Sequence, residues 1–292
     1  MKKALWFILL AMMLLAISCT KKEELGNVDI CVHHTANGNP LLTDTLCYIN
    51  EAGNEFLVTE IQWFISKMEL QNERGEWIAS DKVFYIDTNI PESQMLRIDS
   101  IPTGKYKTVR FTFGLDEHDN QSGLFSNPPE ANMFWPETLG GGYHYIKLNG
   151  KYRNESGQLA PLNIHLGRLQ DQDHSFIVEQ PIDFIVSEST ANQVNITMIV
   201  DNWFRSPNIY DFNEWGSAIM QNEAAQNVLK QNGQDVFEIS VNGKNMTMEK
   251  DSRIAEGFKN AMKMAAPKPH FWTWENVKQT FEQIKESTQN RL

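Results

Sequence analysis

The sequence predicts a mainly β protein, an antiparallel β-sandwich with short α-helices in its C-terminal part. Eight or more short segments either alternate apolar and polar side chains or are rich in β-branched and aromatic residues, which is typical of strands. Turn signals containing Gly or Pro separate these segments. No helix is evident between them, so the parallel sheet of a βαβ protein, which requires intervening helices, is disfavoured.

The first 18 residues are predicted to be a lipoprotein signal peptide. A basic start, Met1-Lys2-Lys3, precedes an apolar run of 14 residues at 4–17. That run is shorter than the roughly 20 residues of a membrane-spanning helix and is typical of a secretory signal. The run ends in LAISC, which resembles a bacterial lipobox, so Cys19 is the expected lipidation site. The alternative is an ordinary signal peptide followed by an incidental cysteine.

Residues 19–27 are expected to tether the lipid to the folded domain. Lys21-Lys22-Glu23-Glu24 resembles the surface-export signal of lipoproteins in the Bacteroidetes, and a solvated charged tether is the alternative. We expect a cell-envelope protein whose Cys19 lipid anchors it to the outer membrane, facing either the periplasm or the outside.

The predicted strands follow one another through residues 28–245, the expected β-sandwich domain. They lie at residues 28–33, 46–49, 56–65, 67–71, 76–78, 83–86, 106–114, 143–152, 162–166 and 193–200.

Two cysteines lie in the first two of these strands. Cys31 and Cys47 are separated by a turn-rich segment at 36–40, and a hairpin there could bring them together. A disulfide closing a loop of about 15 residues would stabilise the fold by roughly 3 kcal/mol. The alternative is two separate buried thiols.

The C-terminal part changes to helical spacing. Residues 213–231 are predicted to form a helix that ends before Gly233. Apolar residues recur at helical intervals in 251–265 and again in 274–284, so residues 246–292 are expected to be a helical extension, packed on the domain or on a partner.

Charge and motifs exclude several classes of function. The formal net charge is −11, with 37 acidic and 26 basic residues, which argues against nucleic acid as a partner. The sequence has no G-x-S-x-G, Walker loop, H-E-x-x-H or C-x-x-C-H pattern. We therefore expect a protein that is not an enzyme.

Histidines in predicted strands are the candidate metal ligands. His33 and His34 end the first strand, His144 follows three consecutive glycines, and His165 lies in the strand at 162–166. Neutral imidazoles from neighbouring strands are natural ligands for copper or zinc. A hydrogen-bonded structural role is the more common use of a histidine on a sheet.

Several blocks of the sequence agree, in order, with one family. Residues 132–150, NMFWPETLGGGYHYIKLNG, follow the pattern M-x-W … G-Y … K-x-x-G, and His165-Leu166-Gly167 follows H-x-G. Further blocks lie at residues 48–54, 58–66, 101–106, 111–114, 202–204 and 219–222. Over roughly residues 28–240 the chain resembles the MbnP-like family of methanobactin-associated, copper-binding periplasmic proteins, in particular its lipoprotein members from the Bacteroidetes.

This resemblance implies a β-sandwich that binds copper, without catalysis, for metal acquisition or handling. Carried over by motif, His165 and His144 are the candidate ligands, and His33 or His34 could add one from the first strand. In some relatives a partner dihaem peroxidase oxidises a tryptophan to kynurenine beside the metal, and Trp135 matches that tryptophan. A different function remains open: a surface lipoprotein that binds glycan or protein, without metal, through an aromatic platform of Phe134, Trp135 and Tyr143.

Overall fold

The computed structural model describes residues 24–188 and 192–241, and it confirms a mainly β fold built from two sheets. The expected signal peptide, Cys19 and the expected extension at 246–292 lie outside the described residues. The strands, in chain order, are β1 (Leu25–Ala36), β2 (Asn39–Pro40), β3 (Tyr48–Ile49), β4 (Glu55–Asn72), β5 (Trp77–Ser80), β6 (Phe84–Asp87), β7 (Met95–Pro102), β8 (Gly104–Phe113), β9 (Ile146–Arg153), β10 (Leu159–Leu166), β11 (Phe176–Val186), β12 (Asn192–Ile199) and β13 (Phe237–Val241).

The smaller sheet has the order β13-β12-β1-β2, and β7 also pairs with β1. The larger sheet has the order β10-β9-β4-β8-β11, with the short strands β3, β5 and β6 added to β4. The strand pairs are antiparallel with one exception, β1 and β12, which run parallel. Residue periodicity predicts strands but carries no information on their direction, which is why the parallel pair was not foreseen.

The two strands predicted at 56–65 and 67–71 are one long strand, β4. Lys67 has a φ of 50°, and the register with β8 shifts between Ser66 and Glu69. This is a β-bulge, which bends a strand and breaks its alternation of side chains without ending it. The interrupted pattern in the sequence therefore marks a bulge rather than a turn.

Aromatic side chains fill the space between the two sheets. Phe113 of β8 stacks on Phe176 at 4.7 Å between ring centroids and contacts Trp63, Trp203 and Phe237 at 5.2–6.0 Å. All five side chains are buried. Offset and edge contacts of this kind stabilise a core beyond the area they bury, which explains the high tryptophan and phenylalanine content.

The outer face of the larger sheet is partly covered by the long connection between β8 and β9, residues 114–145. Phe64 of β4 points to this face and packs on Phe125 and Tyr143 of the connection, with ring centroids 5.4 and 6.4 Å apart. The connection therefore has a hydrophobic base of its own. It brings the motif at residues 132–145 onto the sheet.

The prediction of one continuous helix at 213–231 is wrong, because the middle of this segment is not helical. Over the described residues 212–232 the structure has two α-helices, α1 (Phe212–Trp215) and α2 (Glu223–Asn232). Gly216, at a φ of 79°, ends the first, and the Asn222 side chain accepts a hydrogen bond from Ala225 N to cap the second. Capping signals at Gly216 and Asn222 outweigh the apolar spacing across the gap.

The possible disulfide between Cys31 and Cys47 is also wrong, because both residues are free thiols. Cys31 is buried on β1, whereas Cys47 is exposed. The strand that follows β1, β2, has only two residues. The chain then crosses to the larger sheet, where β3 pairs with β4. The hairpin between the cysteines therefore forms only as the two residue pairs that join β1 and β2, and it does not bring Cys47 to Cys31.

No helix within residues 24–188 and 192–241 has the length and apolar character needed to cross a membrane.

Candidate metal centre

Three of the residues singled out in the sequence meet on the outer face of the larger sheet. The His144 ring lies between the other two, with its centroid 4.7 Å from that of Trp135 and 5.1 Å from that of His165. Both contacts are edge-to-face. Trp135 and His144 are buried, and His165 is partly exposed. The three side chains thus form one cluster that solvent reaches from the His165 side.

The segment that carries Trp135 and His144 is a small irregular hairpin. Trp135 N donates to Gly142 O at 2.8 Å, and His144 N donates to Met133 O at 2.7 Å. Between these bonds the chain turns through Gly140, Gly141 and Gly142, all at positive φ. A Cβ on Gly142 would lie 2.2 Å from Asn120 Oδ1. The triple glycine is therefore needed for the shape of this hairpin, not for binding phosphate.

His165 reaches the cluster because of the alternation of side chains along β10. Ile164 and Leu166 point into the core and are buried, so His165 points to the opposite, outer face. Its partner across the ladder is Lys147 of β9, and Asn149 is paired with Asn163 on the same face.

One nitrogen of each imidazole is held by a neighbouring carbonyl oxygen. His144 Nδ1 lies 2.9 Å from Met133 O, and His165 Nε2 lies 2.8 Å from Asn149 Oδ1. Since both partners are carbonyl oxygens, both nitrogens must donate. The lone pairs are then on His144 Nε2 and His165 Nδ1. A hydrogen bond that fixes one nitrogen is the usual support of a histidine that ligates a metal through the other.

Both imidazoles are held neutral, the state in which they bind metal. Burial above all, together with the charge of Lys147 and that of His165 when it is protonated, lowers the pKa of His144 to about 3, although hydrogen bonds to the backbone of Met133 and Phe134 raise it. Burial and the Lys147 charge lower the pKa of His165 to about 4. Because ligands must be deprotonated, neither ring has to lose a proton to bind a metal at neutral pH.

Trp135 closes the inner side of the cluster. Its side chain is fully buried, and its Nε1 has no hydrogen-bond partner. The indole lies against Gly167, where a Cβ would come within 2.7 Å of two ring atoms. The H-x-G motif is thereby explained: its histidine faces the cluster, and its glycine leaves room for the tryptophan.

His33 and His34 are not brought to this cluster, because they belong to β1 in the other sheet. His34 is buried, and its Nε2 accepts a hydrogen bond from Trp63 Nε1 at 3.0 Å. His33 points to the opposite, outer face of its sheet. The sequence showed that all four histidines lie in or beside strands but not which sheet each strand joins.

Sequence reasoning missed the residues that support the ligands. Lys147 and Asn149 are polar positions of an otherwise alternating strand, which is a signal for a solvent face but not for a site. Lys147 Nζ donates to Asn132 O at 2.5 Å, which places a positive charge near both histidines.

A second group with metal-ligating atoms lies in the connection at residues 114–145. Ligand atoms of Asp116, His118 and Asp119 are all within 4.8 Å of one another. Lys67 Nζ is 3.0 Å from the Asp119 carboxylate and 3.6 Å from that of Asp116. An ammonium group thus already neutralises these acidic groups, and His118 is exposed.

The aromatic platform considered for glycan or protein binding is wrong. Trp135 and Tyr143 are 0% and 1% exposed, whereas Phe134 is 45% exposed. Their backbones form the inner hairpin, so two of the three rings face the protein. One exposed phenylalanine does not make a platform.

The fold and the cluster define a β-sandwich protein with a candidate metal centre of two histidines beside a buried tryptophan. The sequence matches the MbnP family over residues 25–223, and the chain belongs to that family. Its structure is similar to that of MbnP from Methylosinus trichosporium, with a TM-score of 0.50 and 12% identity, over 75% of this chain and 99% of that one. At this identity the likeness concerns the fold. No curated protein sequence matches the chain.

Proposed function

We propose that this protein binds copper, without catalysis, in the cell envelope, and that His144 Nε2 and His165 Nδ1 are its ligands. The observation that carries the proposal is the hydrogen bonding of the two rings. Each ring has one nitrogen held by a carbonyl oxygen, which leaves the lone pair on the other nitrogen, and the two ring centroids are 5.1 Å apart. Such a pair needs no rearrangement of tautomers to accept a metal.

Copper is favoured over other ions for two reasons. Imidazole nitrogen suits copper, and among divalent first-row metals copper binds such ligands most strongly. The residues also match the copper-binding pattern implied by the MbnP-like blocks of the sequence. Lys147 opposes every cation alike, so the strength of the metal–nitrogen bonds has to outweigh its charge.

The role that agrees with these features is acquisition or handling of copper at the envelope. A lipid on Cys19 would hold the domain at the outer membrane. A dihaem peroxidase partner acting on Trp135 stays a prediction. The indole is fully buried, so such a partner would have to act without touching it. Mass spectrometry of the peptide containing Trp135, from protein made in its native host, tests for kynurenine.

Copper stoichiometry tests the proposal. The chain from residue 20 onward, carrying Cys31→Ser and Cys47→Ser so that neither free thiol binds or reduces copper, would be loaded with Cu(II), desalted and assayed for metal, alongside His144→Ala and His165→Ala in the same background. We expect about one copper per chain at this site, lost or strongly weakened in both variants. His118→Ala is the matched control, since it removes an imidazole from the acidic cluster. The proposal would be contradicted if copper were retained in both His144→Ala and His165→Ala, or if it were lost in His118→Ala.

A further inference from the structure

Two sulfur atoms meet on the outer face of the smaller sheet, away from the histidine cluster. Cys31 of β1 and Met95 of β7 are direct cross-strand partners, and their Sγ and Sδ atoms are 3.6 Å apart. Cys31 is 8% exposed, whereas Met95 is 62% exposed. A buried thiol thus lies under a thioether that solvent reaches.

The Cys31 thiol donates a weak hydrogen bond to the Met95 thioether, and the distance between the two sulfurs is also one that two ligands of a single ion can have. Metal–thiolate bonds are about 2.3 Å long, so two sulfurs 3.6 Å apart would form an angle of about 103° at a shared metal, close to tetrahedral. Thiolate and thioether are the soft ligands that select Cu(I). The pair therefore has both the chemistry and the spacing of a Cu(I) chelate.

The same face carries a further donor. The alternation of β1 places Asp29, Cys31 and His33 on the outer side, and His33 is partly exposed. Asp29 is paired with Arg97 Nη1 at 3.2 Å, so its charge is already compensated. His33 is the candidate third ligand, two residues from Cys31 along the same face.

We propose that Cys31 and Met95, with His33, form a second metal site that takes Cu(I). Binding replaces the thiol proton by the metal: Cys31–SH and Cu(I) give the Cu(I) thiolate and a proton released to water, without a change in oxidation state. The site is independent of His144 and His165, which lie on the other sheet. If the test of this second site fails, the proposal that His144 and His165 bind copper therefore still stands.

Anaerobic titration with Cu(I) tests this site, using the chain from residue 20 onward with Cys47→Ser as the parent. Cys47 is replaced because it is the other free, and more exposed, thiol of the described residues and would give a thiolate band of its own. The readouts are ultraviolet absorption of the Cu(I)–thiolate bond, which imidazole ligands do not give, and competition with a chromophoric Cu(I) chelator. We expect the thiolate band to account for about one Cu(I) per chain, in addition to any copper held by His144 and His165.

Three variants of this parent separate a built site from a lone cysteine. Cys31→Ser should abolish the band, and Met95→Leu should weaken binding at least tenfold. Because Met95 is largely exposed, its substitution leaves the fold intact even if that of Cys31 does not. His165→Ala should leave the band unchanged. Absence of a thiolate band in the parent, or equal affinity in the parent and Met95→Leu, would overturn the proposal.

Discussion

Gly167 lies directly beneath the indole of Trp135, so closely that a Cβ at position 167 would come within 2.7 Å of two ring atoms. Trp135 in turn contacts His144, and Gly167 follows His165 by two residues. This close approach of the Gly167 backbone to the indole ring therefore determines how deeply Trp135 lies and how the two proposed ligands are spaced.

Gly167→Ala should destabilise the domain and weaken copper binding. Overpacking a core typically costs about 1–3 kcal/mol, here because the methyl group must displace a fully buried ring. Urea denaturation and copper competition would measure the two effects. In a Trp135→Leu background the same substitution should cost much less. Equal costs in the two backgrounds would show that the contact with Trp135 is not the cause.

Lys147→Met should tighten copper binding. The Lys147 charge lowers the pKa of both proposed ligands, so it disfavours a bound cation in the same way. Removing one like charge at this range corresponds to about 1 kcal/mol, or roughly fivefold in affinity. Lys151→Met is the matched control, since it removes an exposed charge further along β9. Tighter copper binding in Lys151→Met but not in Lys147→Met would contradict this explanation.

The free energy of unfolding should fall in mild acid, in part because of His34. Burial lowers the pKa of His34 to about 4, below the value of about 6.5 for an unfolded imidazole. The unfolded chain thus takes up the proton first. The stability that neutral His34 contributes is present above pH 6.5 and lost as the pH falls towards 4.

Urea denaturation between pH 7 and pH 4.5 measures this loss. Each imidazole of this kind contributes up to about 1.4 kcal/mol per pH unit. His34→Gln keeps an acceptor for Trp63 Nε1 and removes one titrating ring. The variant should therefore show a shallower pH dependence by about one proton, and a slope equal to that of the unsubstituted protein would refute the assignment.

Thiol accessibility separates the two cysteines of the described residues. In protein beginning at residue 20, a small thiol reagent should react at once with Cys47 and slowly with Cys31, which is buried. Under denaturing conditions without reductant, both should react. A mass two protons lower, with no reactive thiol after unfolding, would show a disulfide and contradict the structure.

Local patterns predicted the strands and the chemistry of the candidate ligands, because alternation and turn residues are properties of neighbouring positions. His165 illustrates this, since its place between Ile164 and Leu166 already put it on a solvent face. The bulge at Lys67 disturbed that periodicity, and one strand was taken for two.

The composition of the site depended on contacts between distant parts of the chain. His34 and His144 are both histidines in or near strands. Only the order of strands in the sheets shows that the His34 ring accepts a hydrogen bond from Trp63, whereas the His144 ring faces His165. The roles proposed for Lys147 and Cys31 could not be predicted from the sequence either. Their importance comes from what lies across the strand, and the sequence alone does not give the register of non-adjacent strands.

The central claim is that copper is bound between His144 and His165. An anomalous difference map at the copper edge, from crystals of the protein loaded with one equivalent of Cu(II), tests it most directly. We expect the main peak between His144 Nε2 and His165 Nδ1, beside Trp135. A main peak at Asp116, His118 and Asp119 instead, with none at the two histidines, would contradict it.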